Sequence, residues 1–215
     1  MRIESLRRLP RSGNAAVAVT GGEEVKLPAS VAEDFGLYVG MELSDGQWNA
    51  VLDAGKEASA RLRAVRILAA SSVSRRELER RLCQKGEDPD CARDAADWLQ
   101  ELQLLDDRET AIQLVRSAAS RGYGRTRIKS ILYEKGIPRE FWEEALAQIP
   151  PMEDAVDRFL RQRFADAEPD EKQIRKAADA LARRGYSWGE IQAGLRRFRA
   201  DADFEEPMDT MEEPE

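Results

Sequence analysis

Arg75 and Arg125 stand fifty residues apart, as do Lys85 and Lys135, and Arg184 follows Lys135 by forty-nine. Arg76 and Arg175 share a third register position, and Arg121 and Arg127 flank Gly122-Tyr123-Gly124. Cations that recur at one place in an internal repeat are candidate contacts to a negatively charged partner, so the chemistry on offer is binding rather than bond-making. For Lys85, Lys135 and Arg184 a local explanation competes. Each closes a helix-like segment, where the macrodipole favours a cation by about 0.3 to 1 kcal/mol. Arg75 and Arg125 open helices, where the dipole disfavours a cation, and local helix stability does not explain them.

Other chemistry is excluded by residue type. The chain has no histidine, which removes imidazole as base or ligand and with it every Ser-His and Cys-His pair. Two cysteines, Cys83 and Cys91, are too few for a thiolate zinc site and are not spaced Cys-x-x-Cys. They read as buried or half-buried helix positions in a reducing compartment. Gly122 and Gly124 end one helix and open the next; no Gly-Lys-Ser/Thr run accompanies them, so a nucleotide loop is rejected. Asp106-Asp107 reads as a helix cap rather than a metal-binding pair. No catalytic residue, metal or cofactor is expected.

The elements that must present these cations form a repeat. Lys85-Gly86, Lys135-Gly136 and Arg184-Gly185 each end a segment with a leucine four residues before the glycine, at Leu82, Leu132 and Leu181. Leu78, Ile128 and Ala177 stand eight before it, on the same helix face. The glycine suits a left-handed position just past a helix. Ser74-x-x-Glu77, Asp106-x-x-Glu109, Asp170-x-x-Gln173 and Ser187-x-x-Glu190 supply helix-start signals. The result is three three-helix units: 57–71, 74–85 and 89–104; 107–121, 124–135 and 138–149; 152–165, 170–184 and 188–199. Leu62, Val65, Leu68, Trp98, Leu102, Val115, Phe159 and Ile191 are among the expected core positions.

Residues 1–50 differ. Two β-prone runs around Gly21-Gly22 predict a hairpin, Ser30 to Phe35 a short helix, and 36–43 a turn returning to an extended segment. At the other end, residues 201–215 hold eight acidic and no basic side chains, more than the whole net charge of −7, and predict a solvated acidic tail. The expected fold class is therefore mainly α: tandem three-helix repeats in an elongated curved array with a small N-terminal β-hairpin-containing unit. The expected domains are 1–50, three repeats at 51–105, 106–150 and 151–200, and the tail at 201–215. With 42% hydrophobic and 35% charged residues, no membrane-length apolar run and no signal-peptide core, a soluble, cytoplasmic protein is expected.

One set of residues resembles a known family. Ser74-x-x-Glu77-Leu78 with Leu82 and Lys85-Gly86, then Leu105-Asp106-Asp107, then Gly122-Tyr123-Gly124-x-x-Arg127-Ile128 with Leu132 and Lys135-Gly136-Ile137, are similar to the signature of RecX, the bacterial regulator of the RecA recombinase. The match spans 61–149, and Arg183-Arg184-Gly185-Tyr186-Ser187 continues it. The resemblance implies a monomeric, non-enzymatic protein that binds the RecA filament on DNA in its helical groove. It further implies modulation, generally inhibition, of recombinase, ATPase and co-protease activity in homologous recombination and the SOS response. Weak direct DNA binding is a further expectation. The alternative is a helical-repeat protein acting on DNA directly, as an architectural or transcriptional factor. Against it, the seventeen basic residues of 61–149 are interleaved with fifteen acids, which is not the footprint of such a protein.

Overall fold

Three antiparallel strands, β1 (Ile3–Leu9), β2 (Asn14–Val19) and β3 (Val25–Pro28), form the N-terminal sheet in the order β1-β2-β3. The computed structural model describes residues 1–9, 13–22, 24–165 and 169–204. The expected hairpin is the β2–β3 pair, with Asn14 opposite Pro28 and Val17 opposite Val25. β1 was not expected. Its only buried side chain is Ile3, and its polar positions hide the alternation. The segment after the short helix α1 (Ala29–Asp34) does return to the sheet: Arg2 bridges to Glu42, and the Ile3 amide donates to the Met41 carbonyl at 2.9 Å.

The long helix α2 (Asp45–Ala70) contains most of the repeat helix expected at 57–71 and begins twelve residues before it. Ser44 Oγ accepts from the Gln47 amide at 3.2 Å, while Gln47 Oε1 accepts from the Ser44 amide at 2.9 Å, a full capping box. Trp48 and Val51 then pack with Ile3, Val17, Val19 and Leu27 of the sheet. The second half of α2 contributes Ala60, Ala64 and Ile67 to a separate core with α3 (Arg75–Gln84) and α4 (Pro89–Glu101). This corrects part of the predicted stripe: Leu62, Val65 and Leu102 are 44, 42 and 50% exposed. The second half of α2 turns Ala60, Ala64 and Ile67 to the core, where they meet Ala92, Ala95 and Ala96 of α4. Leu62 and Val65 lie instead at a hollow of about 360 Å³ with Phe35 and Trp98. Cys83 is likewise exposed rather than buried; Cys91 is half-buried, and burial pushes its thiol up, away from the reactive thiolate.

The chain divides into two compact units at Asp106 and Asp107. In the second, α5 (Asp107–Ser120), α6 (Arg125–Glu134) and α7 (Trp142–Leu146) share a core of Val115, Ile128, Leu132 and Leu146. The predicted helix at 138–149 is a single 3-10 turn, Arg139–Phe141, leading into the five residues of α7. There the Trp142 indole turns back to donate to the Ile137 carbonyl at 3.0 Å. α8 (Met152–Arg163), α9 (Glu171–Arg183) and α10 (Trp188–Phe204) form the last trio around Val156, Leu160, Leu181 and Ile191. Helix therefore continues to Phe204, into the segment expected to be tail; 205–215 lie outside the described residues.

The repeat signature has a shared geometry. Leu78, Ile128 and Ala177 are fully buried, as are Leu82, Leu132 and Leu181. Gly86, Gly136 and Gly185 all have left-handed φ, at 89, 70 and 89°. In each turn the residue after the glycine donates back to the leucine carbonyl, Glu87 to Leu82, Ile137 to Leu132 and Tyr186 to Leu181, at 3.0–3.2 Å. This is the six-to-one bond of a Schellman turn, and Ile137 and Tyr186 are themselves buried beside the leucine they reach.

The second and third trios are joined backbone to backbone. The Gly124 amide donates to the Arg184 carbonyl at 2.8 Å, Thr126 to the Gly185 carbonyl at 3.1 Å, and the buried Tyr186 hydroxyl to the Gly122 carbonyl at 3.2 Å. Ser74 and Asp170 cap α3 and α9 with side chains, whereas Gly124 gives α6 none. Two amides at the start of α6, those of Gly124 and Thr126, are answered instead by carbonyls of the α9 turn.

Candidate functional site

Lys85, Lys135 and Arg184 are the C-caps of α3, α6 and α9, each directly before its left-handed glycine, so three repeats present a cation at one place. Lys85 and Lys135 are exposed. The Lys85 carbonyl is held by Arg63 Nη1 at 2.6 Å, and Arg63 also pairs with Glu87 at 2.9 Å, which fixes the turn that carries Lys85. Arg184 is half-buried, its guanidinium 5.0 Å from the centre of the Phe159 ring.

At the helix starts the structure supplies the local explanation that sequence reasoning lacked. Arg75 pairs with Glu79 on its own helix at 2.9 Å and with Asp97 of α4 at 2.5 Å, and also donates to Gln100. Arg125 pairs with Glu143 of α7 at 3.3 Å. In both repeats the first residue of the middle helix thus ties down the third helix, a contact that offsets the unfavourable dipole. Arg127 pairs with Glu134 at 2.9 Å. Arg76 and Arg175 are exposed and occupy equivalent positions on α3 and α9. Beside Arg76, Glu77 is only 6% exposed and is gripped by Arg80 and Arg81, both at 2.7 Å. Burial alone pushes the Glu77 carboxyl up, but the two guanidinia outweigh it and hold it below the ordinary glutamate range.

Arg121 and Arg184 are brought to the same place. Both line a cavity of about 460 Å³ between the end of α5, one face of α8 and the α9 turn, together with Arg158, Arg163, Ser120, Gln162 and Phe159. Sequence reasoning missed Arg158 and Arg163. The available signal was the spacing 155, 158, 159, 162 and 163, which puts Ala155, both arginines, Phe159 and Gln162 on one face of α8. Arg75, Arg125 and Lys135 do not line this cavity.

The protein combines a small N-terminal sheet with three-helix trios and carries a cation at the same turn of three of its helices. A family model described as RecX, second three-helix domain, matches residues 106–146. The regulatory protein RecX of Xanthomonas axonopodis pv. citri is 39% identical over 144 residues, covering 66% of this chain and 88% of that protein. Its counterpart in Chlorobaculum tepidum is 36% identical over 149 residues, covering 67% and 91%. The chain belongs to the RecX family of regulatory proteins. A crystal structure of regulatory protein RecX has a TM-score of 0.66 at 22% identity, covering 91% of this chain and 98% of that one. The structure of RecX from Lactobacillus salivarius has a TM-score of 0.58 at 21% identity, covering 68% and 99%. Among the described residues no helix is long and apolar enough to cross a membrane.

Proposed function

We propose that this chain binds the RecA filament on DNA, in its helical groove, and lowers recombinase, ATPase and co-protease activity in homologous recombination and the SOS response. The observation that carries the reading is the recurrence of Lys85, Lys135 and Arg184 at one structural position in successive trios. A filament groove repeats along its axis, so a protein that repeats one cation can engage successive subunits, and linked weak contacts sum to firm binding. In this reading the chain is a monomer in the bacterial cytoplasm, without catalytic residue, metal or cofactor. Its domains are the N-terminal unit 1–50, the repeats 51–105, 106–150 and 151–200, and the tail 201–215. Arg75, Arg76, Lys85, Arg121, Arg125, Arg127, Lys135, Arg175 and Arg184 are the proposed contacts.

The test is RecA ATP hydrolysis on single-stranded DNA with increasing amounts of the full chain. A dose-dependent fall is expected, together with co-sedimentation of the chain with preformed filaments. Steeply salt-dependent binding to bare duplex that RecA does not alter would instead support direct action on DNA.

A further inference from the structure

We propose that the cavity formed by Arg121, Arg158, Arg163 and Arg184 is a phosphate site that takes a phosphodiester group of a nucleic-acid strand. The proposal rests on the filament reading only in taking that strand to be the filament's DNA. Among the described residues, four guanidinia line the cavity and no carboxylate does. Four arginines outside the cavity show the pairing that these lack: Arg75 has Asp97, Arg108 has Glu144, Arg125 has Glu143, and Arg197 has Asp157. Among the described residues, no ion pair holds Arg121, Arg158, Arg163 or Arg184, and Arg184 rests on the Phe159 ring instead.

Helix ends do not balance this charge. The C-termini of α5, α8 and α9 lie at or beside the cavity and contribute about half a negative charge each, roughly −1.5 against four guanidinia. Asp154 shares a neighbouring hollow with Arg158, and Asp157 there is committed to Arg197. Among the described residues, and with Asp154 included, about one and a half positive charges remain available to an anion from outside.

The lining favours phosphate. Guanidinia present paired N–H donors that match phosphate oxygens, and Ser120 and Gln162 add neutral donors. At about 460 Å³ the space exceeds a lone phosphate and falls within the range of ligand sites, which leaves room for the adjoining sugar. Phe159 supplies an apolar wall on which that sugar or its base can rest.

The test is fluorescence anisotropy of a labelled oligothymidylate with the full chain, compared with the double substitution Arg158→Ala, Arg163→Ala. The two side chains are exposed on α8, and circular dichroism serves to check that helix content is retained. The double variant should lose about tenfold in affinity at low salt, and its plot of log K against log salt should flatten by about 1.4, the expectation for two lost single-strand phosphate contacts. Arg93→Ala, at an exposed site on α4, should leave both unchanged. Unchanged affinity and slope in the double variant would overturn the site, as would displacement of the oligonucleotide by polyglutamate as readily as by polyphosphate. Co-sedimentation with RecA filaments separates the two readings. If the wild-type chain ignores filaments while the double variant still loses oligonucleotide affinity, the filament reading is overturned and the site stands. Unchanged oligonucleotide binding with normal filament binding does the reverse.

Discussion

Gly124 and Gly185 meet backbone against backbone: a Cβ at Gly124 would fall 2.4 Å from the Gly185 carbonyl, and one at Gly185 would fall 2.3 Å from the Arg127 nitrogen. That approach lets the amides at the start of α6 take the carbonyls at the end of α9. It also brings Arg184 beside Gly122 and Arg121.

Gly124→Ala should therefore cost about 1 to 3 kcal/mol, because the atoms it strikes are main chain and cannot rotate away. Gly86→Ala provides the contrast. Nothing lies within 4 Å of its Cβ, so only the left-handed φ is penalised, by about 1 to 2 kcal/mol. Urea unfolding of the full chain should show the larger loss for Gly124→Ala; equal midpoints would mean the junction is not close-packed.

Glu77 should make stability fall with acid. Its carboxyl is held below the ordinary range in the folded state, so its contribution is complete at neutral pH. That contribution is lost as pH drops below about 4.3, the ordinary glutamate value, and through the lowered folded one. Glu77→Gln removes the charge that answers Arg80 and Arg81. It should lower stability at pH 7 by about 1 to 3 kcal/mol and converge on wild type near the acid end of the curve. Denaturant titrations at several pH values check this, and a constant difference across the range would contradict it.

Arg75→Glu with Arg125→Glu should weaken binding to RecA filaments while leaving helix content unchanged. Each reversal also sets a carboxylate against Glu79 and Asp97, or against Glu143. A stability loss of about 1 kcal/mol per site is therefore expected alongside. Co-sedimentation and circular dichroism on the same sample separate the two effects, and undiminished binding would remove these positions from the contact surface.

Deleting residues 205–215, which hold six acidic and no basic side chains, should raise affinity for bare DNA at low salt. The gain should fade as salt screens the charge over about 8 to 10 Å. Anisotropy with a labelled duplex at two salt concentrations checks it; no change at low salt would show that this segment does not restrain DNA binding.

The repeat was legible from one dimension because its signals are local. A leucine four residues before a glycine, and an apolar residue four before that, must share a helix face, so Leu82, Leu132 and Leu181 were assignable to the core before any coordinates. The start of α2 was equally local, written in Ser44 and Gln47. β1 was not local at all. Its polar strand is defined by pairing with β2, and only that partner shows it to be a strand. The same distinction divides the cations. Helix position alone could mark Arg75 and Arg125 as odd; Glu79 answers Arg75 from four residues on, yet Asp97 and Glu143, which tie the two to the third helix of each trio, lie eighteen or more positions away. Sequence by itself determined the repeat, its turns and the buried leucine of each, since these depend on contacts within a few residues. Only tertiary packing decided that Gly124 must be glycine and that Arg121, Arg158, Arg163 and Arg184 share one cavity, because backbone approach and charge convergence depend on distances between elements that residue order does not encode.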